Sequence, residues 1–215
     1  MVVTVTLNPA VDQTVFIPGF AAGRVNRVAE FECHAGGKGV NVAGCLADLG
    51  VEAAATGFLG RDNPELFEAF FAQRKIVDRF IRIEGHTRTG IKIADTQSGQ
   101  TTDINFPGPS LAAADMQALL ELLGALAAPG RWFVCSGSVP PGAGDDAYAR
   151  CIEAIHAKGW RALLDASGKA FREGLAARPD AVKPNVDELG EWAGQTLKTM
   201  ADVRAAGEAL LAQGV

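Results

Sequence analysis

Apolar and polar positions follow two patterns along the chain, and the more extensive one predicts strands and helices in turn. A β-branched apolar run at Val2–Thr6 predicts a buried strand, and apolar residues at helical spacing over Val40–Leu49, followed by Gly50, predict a helix. The other predicted strands are Glu52–Gly57, Arg131–Cys135, Arg161–Asp165 and Ala181–Lys183, and the other predicted helices are Pro64–Gln73, Leu111–Ala127, Asp146–Lys158 and Met200–Gln213. Because strands joined through helices pair in parallel, we predict an α/β fold with a mostly parallel sheet and helices on both faces.

The second pattern is strict alternation of polar and apolar residues, which is typical of antiparallel strands with one face in solvent. It occurs at residues 14–17, 28–33, 80–83, 89–93 and 101–106, with turn residues between the segments. We therefore predict a small antiparallel sheet separate from the main one. The expected organisation is an α/β core of residues 1–11, 34–78 and 108–215, and a small sheet of residues 12–33 and 79–107.

Charge and composition exclude several classes of function. The 215 residues include 20 Lys and Arg against 25 Asp and Glu, and this net charge of −5 argues against a nucleic-acid partner. No apolar run approaches the roughly 18 residues of a membrane span, and no signal peptide is visible, so we expect a cytoplasmic protein without a membrane partner. The cysteines and histidines lack metal-ligand spacing, and we expect four buried thiols at Cys33, Cys45, Cys135 and Cys151.

A glycine-rich segment, Ala35-Gly36-Gly37-Lys38-Gly39-Val40-Asn41, lies between a predicted strand and a predicted helix. Glycines let the backbone approach a ligand closely, and N–H groups at a helix start together with a lysine attract anions. The segment is not a Walker A loop, because Glu32 and Gly39 stand where that motif needs glycine and Ser/Thr. We expect it to bind a phosphate or a polyhydroxyl ligand; the alternative is a turn that contacts no ligand.

Polar residues also follow several of the predicted strands, at the edge where ligands bind in open α/β sheets. Glu188 lies near Asn185 and Lys183, an arrangement that suits a Mg²⁺–nucleotide corner. The alternative for each residue is a helix cap or a turn. The residues at this edge are Asn8, Asp12, Ser136, Gly137, Ser138, Asp165, Lys183, Asn185 and Glu188.

A different class of protein is suggested by Gly142-x-Gly144-x-x-Ala147, which follows a strand and opens a helix about twenty residues before Asp165, as in a dinucleotide-binding fingerprint. Asp145 and Asp146 would place two carboxylates where the pyrophosphate binds. The six residues Ser-Gly-Ser-Val-Pro-Pro between the strand and Gly142 are also too many for the tight turn that a dinucleotide-binding fingerprint requires. We keep this dinucleotide-binding alternative but disfavour it.

Seven motifs in this order resemble the PfkB branch of the ribokinase-like sugar kinases, and within it the enzymes that act on fructose 1-phosphate. The resemblance implies a three-layer, ribokinase-like (Rossmann-like) fold in which the small sheet is a β-lid over the sugar site. The motifs are Thr6-Leu7-Asn8-Pro9-Ala10-x-Asp12, Gly36-Gly37-Lys38-Gly39-Val40-Asn41-Val42-Ala43, Gly57-Phe58-Leu59-Gly60-x-Asp62-Asn63, Thr87-Arg88, Thr102-Asp103-x-Asn105-Phe106, Ser136-Gly137-Ser138-x-Pro140-x-Gly142 and Val182-Lys183-Pro184-Asn185-x-x-Glu188.

The resemblance assigns roles to the matching residues. Lys38 and Arg88 would face the phosphate of the substrate, Lys183 and Asn185 would contact ATP, and Glu188 would help to hold Mg²⁺. The full set of implied substrate-binding residues is Asp12, Gly36, Gly37, Lys38, Asn41, Arg88, Asn105 and Ser136.

The implied reaction is ATP-dependent phosphorylation of a sugar phosphate, first of all fructose 1-phosphate to fructose 1,6-bisphosphate. Tagatose 6-phosphate and fructose 6-phosphate are the alternative substrates within the family. A non-catalytic sugar-phosphate-binding fragment is the alternative outside it. The lid also implies a homodimer.

The catalytic base of the family is the Asp of a Gly-Ala-Gly-Asp motif downstream of Lys-Pro-Asn, and we expect it to lie beyond Val215. The tetrapeptide Gly142-Ala143-Gly144-Asp145 has the same letters but precedes Lys-Pro-Asn, so we interpret Asp145 as a helix-start residue and leave the base unassigned. The sequence is thus expected to be C-terminally truncated and marginally stable alone.

Overall fold

A computed structural model of the chain describes residues 1–126 and 131–215. The strands are β1 (Val2–Thr6), β2 (Ala10–Ile17), β3 (Glu30–Gly36), β4 (Ala53–Gly60), β5 (Val77–Asp78), β6 (Ile81–Ile83), β7 (Thr89–Asp95), β8 (Thr101–Asn105), β9 (Trp132–Ser136), β10 (Arg161–Asp165) and β11 (Ala181–Val182). The helices are α1 (Lys38–Asp48), α2 (Glu65–Arg74), α3 (Ala113–Ala125), α4 (Ala147–His156), α5 (Gly168–Ala176), α6 (Val186–Ala193) and α7 (Met200–Leu211). None of the helices within these two ranges is long and apolar enough to cross a membrane.

The main sheet has the order β11-β10-β9-β1-β4-β5, with β6 also paired to β4, and all of its pairs are parallel. Successive side chains of a strand point to opposite faces, and β4 shows this clearly. Ala54 packs in a core with α3, α4, α5, α6 and α7, whereas Ala53 and Ala55 pack with α1 and α2. Helices therefore cover both faces, and the α/β prediction is confirmed.

The small sheet has the order β3-β2-β7-β8 and is mixed rather than antiparallel throughout. The β2–β3 and β7–β8 pairs are antiparallel, but the central β2–β7 pair is parallel. The sheet also extends further than its predicted segments, because β2 begins at Ala10 and β3 ends at Gly36. Gly36 thus joins the small sheet directly to the start of α1.

The prediction that residues 80–83 belong to the small sheet is wrong. Residues Ile81–Ile83 pair in parallel with Phe58–Gly60 of the main sheet, and the side chains of Phe80 and Ile83 are buried. A strand of three residues is too short for alternation to distinguish a half-exposed position from one buried between two layers.

Two other expectations need correction. Cys33 and Cys45 are exposed, on β3 and α1, and only Cys135 and Cys151 are buried. The helix predicted over Leu111–Ala127 is observed as Ala113–Ala125, and Ala127 lies outside the described residues. The helices α5 and α6 were not predicted from the apolar pattern.

Candidate functional site

The carboxyl ends of β1, β9, β10 and β11 meet the glycine segment at one edge of the main sheet. The chain turns into α1 at Gly37, whose φ of 116° is a conformation that residues with side chains rarely adopt. A Cβ at Gly39 would overlap Thr6 Oγ1, so glycine there lets the first turn of α1 lie against the end of β1. The N–H groups of that turn have no partner within the helix and face the edge where a ligand would bind.

One register row of the small sheet collects the residues expected to bind sugar hydroxyls. Asp12 on β2 pairs with Gly90 on β7, and Gly90 pairs with Asn105 on β8. A Cβ at Gly90 would lie 3.1 Å from Asp12 Oδ1 and 3.6 Å from Asn105 Oδ1, so the glycine leaves space between a carboxylate and a carboxamide. Burial raises the pKa of Asp12, although Arg88 and Lys92 oppose the shift.

Arg88 lies beside this row, and backbone carbonyls hold its guanidinium in place. Its Nε and Nη2 both donate to the carbonyl of Asn8 at 3.3 Å, and its Nη1 donates to the carbonyl of Phe106 at 3.2 Å. Burial lowers the pKa of Arg88, and Asp12 opposes the shift. A guanidinium has five N–H donors, so this one keeps donors for an anionic ligand.

Lys38 connects the glycine segment to the corner where nucleotide binding is expected. Its Nζ lies 3.2 Å from Asp165 Oδ1 at the end of β10 and 3.4 Å from Glu188 Oε1 in the first turn of α6. Lys183 Nζ also contacts Asp165 Oδ1, at 3.3 Å. Burial alone would lower the pKa of Lys38, but the two carboxylates outweigh it and the pKa is raised. Asp165 is therefore a site residue that the resemblance did not assign, although its place at a strand end was visible in the sequence.

Asn185 and Glu188 cap α6 and also belong to this corner. Asn185 Oδ1 accepts from the Glu188 N–H at 2.8 Å, and Glu188 Oε2 accepts from the Asn185 N–H at 2.9 Å. Oε2 of Glu188 therefore acts as a helix cap, the alternative given above, whereas its Oε1 contacts Lys38. Carboxylate oxygens suit Mg²⁺, which is commonly held by one or two carboxylates and substrate phosphates. Asp165 and Glu188 are the two carboxylates of this corner, and both contact Lys38 Nζ.

Ser136 and Ser138, the two serines at the end of β9 and just after it, differ in exposure. The side chain of Ser136 is fully buried in β9, and its hydroxyl has no hydrogen-bond partner among the described residues. Ser138 follows the strand, is exposed, and accepts a hydrogen bond from Asn8 Nδ2 at 3.1 Å. Gly137, with a φ of 106°, turns the chain between the two serines, and Ser138 is exposed whereas Ser136 is not.

Three further residues singled out in the sequence are Asn41, Asp145 and Asp165. Asn41 is exposed on α1, and its N–H donates to the carbonyl of Gly37 at 2.9 Å. Asp145 is exposed in the loop before α4, with Oδ2 3.7 Å from Lys169 Nζ. Asp165, which a dinucleotide would need for its ribose, is 4% exposed and paired with two lysines.

The chain belongs to the pfkB family of carbohydrate kinases, whose model matches residues 5–215. The resemblance seen in the motifs and the expected ribokinase-like fold are therefore confirmed, and the dinucleotide-binding alternative is not supported.

Within this family the chain is similar to 1-phosphofructokinases. It is 49% identical over 215 residues to the enzyme of Rhodobacter capsulatus and 39% identical over 216 residues to that of Escherichia coli K12. In both cases the match covers 100% of this chain and 68% of the relative.

The fold also matches solved structures of phosphofructokinase-2 from Escherichia coli. The complex with fructose-6-phosphate has a TM-score of 0.91 and 28% identity, and the match covers 99% of this chain and 70% of that one. A tetrameric inhibited form of the same enzyme matches with the same TM-score, identity and coverage.

Proposed function

We propose that the protein transfers a phosphoryl group from ATP to fructose 1-phosphate and forms fructose 1,6-bisphosphate, in the cytoplasm. The observation that carries the proposal is the position of the Arg88 guanidinium next to the Asp12–Gly90–Asn105 row. The guanidinium can bind a phosphate, and next to it a carboxylate and a carboxamide can bind sugar hydroxyls. The relatives named 1-phosphofructokinase support the choice of substrate.

On the sugar side, ionised Asp12 accepts hydrogen bonds from two hydroxyls and Asn105 contacts a third. Gly36 leaves space for the Asp12 carboxylate, which a Cβ there would overlap, and Gly37 allows the turn with φ 116° that begins α1. Arg88 neutralises the charge of the substrate phosphate. Ser138, which is exposed after β9, offers a hydroxyl for a hydrogen bond to the substrate. Together these groups fix the orientation that phosphoryl transfer requires.

On the nucleotide side, Lys183 and Asn185 bind the phosphates of ATP. Asp165 and Glu188 are the residues that would hold Mg²⁺, which neutralises charge on the phosphate oxygens when bound. Lys38 contacts both of these carboxylates, so it lies where the two substrates would meet. We assign no catalytic base to the described residues.

Substrate binding and an assay of ADP formation with fructose 1-phosphate test this proposal. We expect fructose 1-phosphate to bind more tightly than tagatose 6-phosphate or fructose 6-phosphate, the substrate bound in the solved relative. Arg88→Ala should weaken binding roughly 30-fold, because a hydrogen bond to a charged group contributes about 1.5–3 kcal/mol. Arg27→Ala, in the exposed loop at the other end of the small sheet, should change it less than about twofold.

The outcomes of this experiment separate the alternatives. Tighter binding of fructose 6-phosphate would move the assignment to a 6-phosphofructokinase. Binding of fructose 1-phosphate without ADP formation would indicate a sugar-phosphate-binding chain. No binding of any of the three sugar phosphates would refute the proposal.

We also propose that a second copy of the chain covers the outer face of the small sheet. This face, opposite to the Asp12 row, carries Phe31 and Ile104, which are 62% and 45% exposed. The two residues lie on the edge strands β3 and β8, and large apolar residues exposed on one face are typical of association surfaces. A solved relative is tetrameric. A dimer would bury them.

Light scattering on the eluted protein measures this association. We expect a dimer at micromolar concentration and a monomer for Phe31→Glu, because a buried charge without a partner disfavours the interface. Glu32→Gln, on the opposite face of β3, is the matched control and should remain a dimer. A monomeric unmodified chain would contradict the proposal.

A further inference from the structure

The motif Gly57–Asn63 has no role in the site as described, yet it holds the chain segment that precedes Arg88. A Cβ at Gly60 would overlap the backbone of residues 85–87, so glycine allows this segment to pass directly over the end of β4. The Gly60 N–H donates to Thr87 Oγ1 at 2.9 Å, and the Asp62 N–H donates to the Gly85 carbonyl at 3.2 Å. The motif therefore packs against residues 85–87 and holds them through hydrogen bonds.

Asn63 makes the most specific of these contacts. Its Oδ1 accepts from the Thr87 N–H at 2.8 Å, and its Nδ2 donates to the Thr87 carbonyl at 3.1 Å. Thr87 is 3% exposed and lies two residues before β7 begins, so strand pairing does not satisfy its backbone. Buried backbone groups need partners, and here a single side chain serves both.

Asn63 itself is held firmly. It precedes Pro64, which restricts its backbone to extended conformations, and α2 begins at once after the proline. Phe67, in the first turn of that helix, is fully buried in the core. The carboxamide is therefore presented from a rigid part of the fold.

Arg88 follows Thr87 directly and depends on its position. The Arg88 carbonyl accepts from the Val11 N–H at 2.8 Å, next to Asp12, while the guanidinium reaches the carbonyls of Asn8 and Phe106. We propose that Asn63, by holding both backbone groups of Thr87, is a positioning residue that sets the Arg88 guanidinium for the phosphate of the substrate. The identity of that phosphate rests on the proposed function, whereas the positioning of Arg88 does not.

The first experiment needs no ligand and follows the Arg88 Nε–H signal by ¹⁵N NMR. In the unmodified chain we expect a signal separated from those of solvent-exposed arginines, because Nε donates to the Asn8 carbonyl. Asn63→Ala should move or broaden it. Asn26→Ala is the matched control, since Asn26 also bonds both backbone groups of one residue, Ala21, but at the far end of the small sheet. An Arg88 signal unchanged in Asn63→Ala overturns the proposal.

The second experiment is a double-mutant cycle read as the dissociation constant of fructose 1-phosphate. Asn63→Ala should weaken binding about tenfold, because a displaced charge loses most of its contact with the phosphate. In the Arg88→Ala background the same change should have less than about a twofold effect, since the residue it acts through is gone. Equal effects of Asn63→Ala with and without Arg88 overturn the proposal.

A further variant keeps the test decisive if Asn63→Ala does not fold. Asn63→Asp retains the acceptor for the Thr87 N–H but replaces the donor with a carboxylate oxygen that repels the Thr87 carbonyl, so it too should shift the Arg88 signal and weaken binding. If the unmodified chain binds no fructose 1-phosphate, the proposed function fails, while the Arg88 signal still decides the role of Asn63.

Discussion

Replacement of Gly57 by alanine is expected to lower the free energy of unfolding by about 4 kcal/mol or more, which would leave little folded protein. Gly57 has a φ of 132°, and a Cβ there would overlap the carbonyl of Thr6, its partner across the β1–β4 pair. Both groups are backbone in central strands, so neither can move without breaking the sheet. Urea unfolding followed by circular dichroism measures the loss.

Gly50→Ala is the matched control for this prediction. Gly50 also has a positive φ, 76°, but a Cβ there would have no atom within 4 Å. This variant has the backbone strain of a positive φ but no overlap, so it should lower the free energy of unfolding by only about 1 kcal/mol. Equal losses for the two variants would show that contact with Thr6 is not the cause.

Gly36→Ala is expected to separate binding from folding. A Cβ at Gly36 would overlap the carboxylate of Asp12, which ends a side chain and can rotate away. The φ of Gly36 is not positive, so the free energy of unfolding should change by less than about 1 kcal/mol. Displacement of Asp12 should nevertheless weaken fructose 1-phosphate binding about 50-fold or more, because two hydroxyls lose a charged acceptor. Calorimetric titration and urea unfolding give the two quantities.

Comparison with Asp12→Ala identifies the cause of that loss. The two single variants should weaken binding to a similar extent, and the double variant should be no worse than either, since both remove the same contact. If Gly36→Ala binds as tightly as the unmodified chain, Asp12 does not contact the sugar as proposed.

The fold could be predicted well where the sequence pattern is long or chemically distinctive. The β-branched run Val2–Thr6 is a strand with the predicted bounds, and Gly50 follows α1 as expected. Residues 81–83 were misplaced because a three-residue strand carries too little periodicity to reveal its partner. Cys33 and Cys45 were expected to be buried from their apolar neighbours, but both are exposed, and Cys33 lies in a part of β3 where both faces are in solvent.

For the site, the rule that ligands bind at the carboxyl ends of parallel strands predicted an edge of the sheet but not the contacts between its side chains. Lys38 and Asp165 lie far apart in sequence, and only the fold shows that Lys38 Nζ is 3.2 Å from Asp165 Oδ1. The difference between buried Ser136 and exposed Ser138 depends on the residue at which β9 ends. Strand ends are among the features that a sequence pattern predicts least well.

From the parallel pairing of β2 with β7 we expect the Asp12–Gly90–Asn105 row to assemble late in folding. The β2–β3 and β7–β8 pairs each join neighbouring strands, and such local contacts form early because little chain entropy is lost in closing them. Asp12 and Gly90 come together only when the two pairs meet across a long stretch of chain. We therefore expect the Asp12–Gly90–Asn105 row to be completed by the slowest-forming pair of this sheet, after the two hairpin-like pairs have formed.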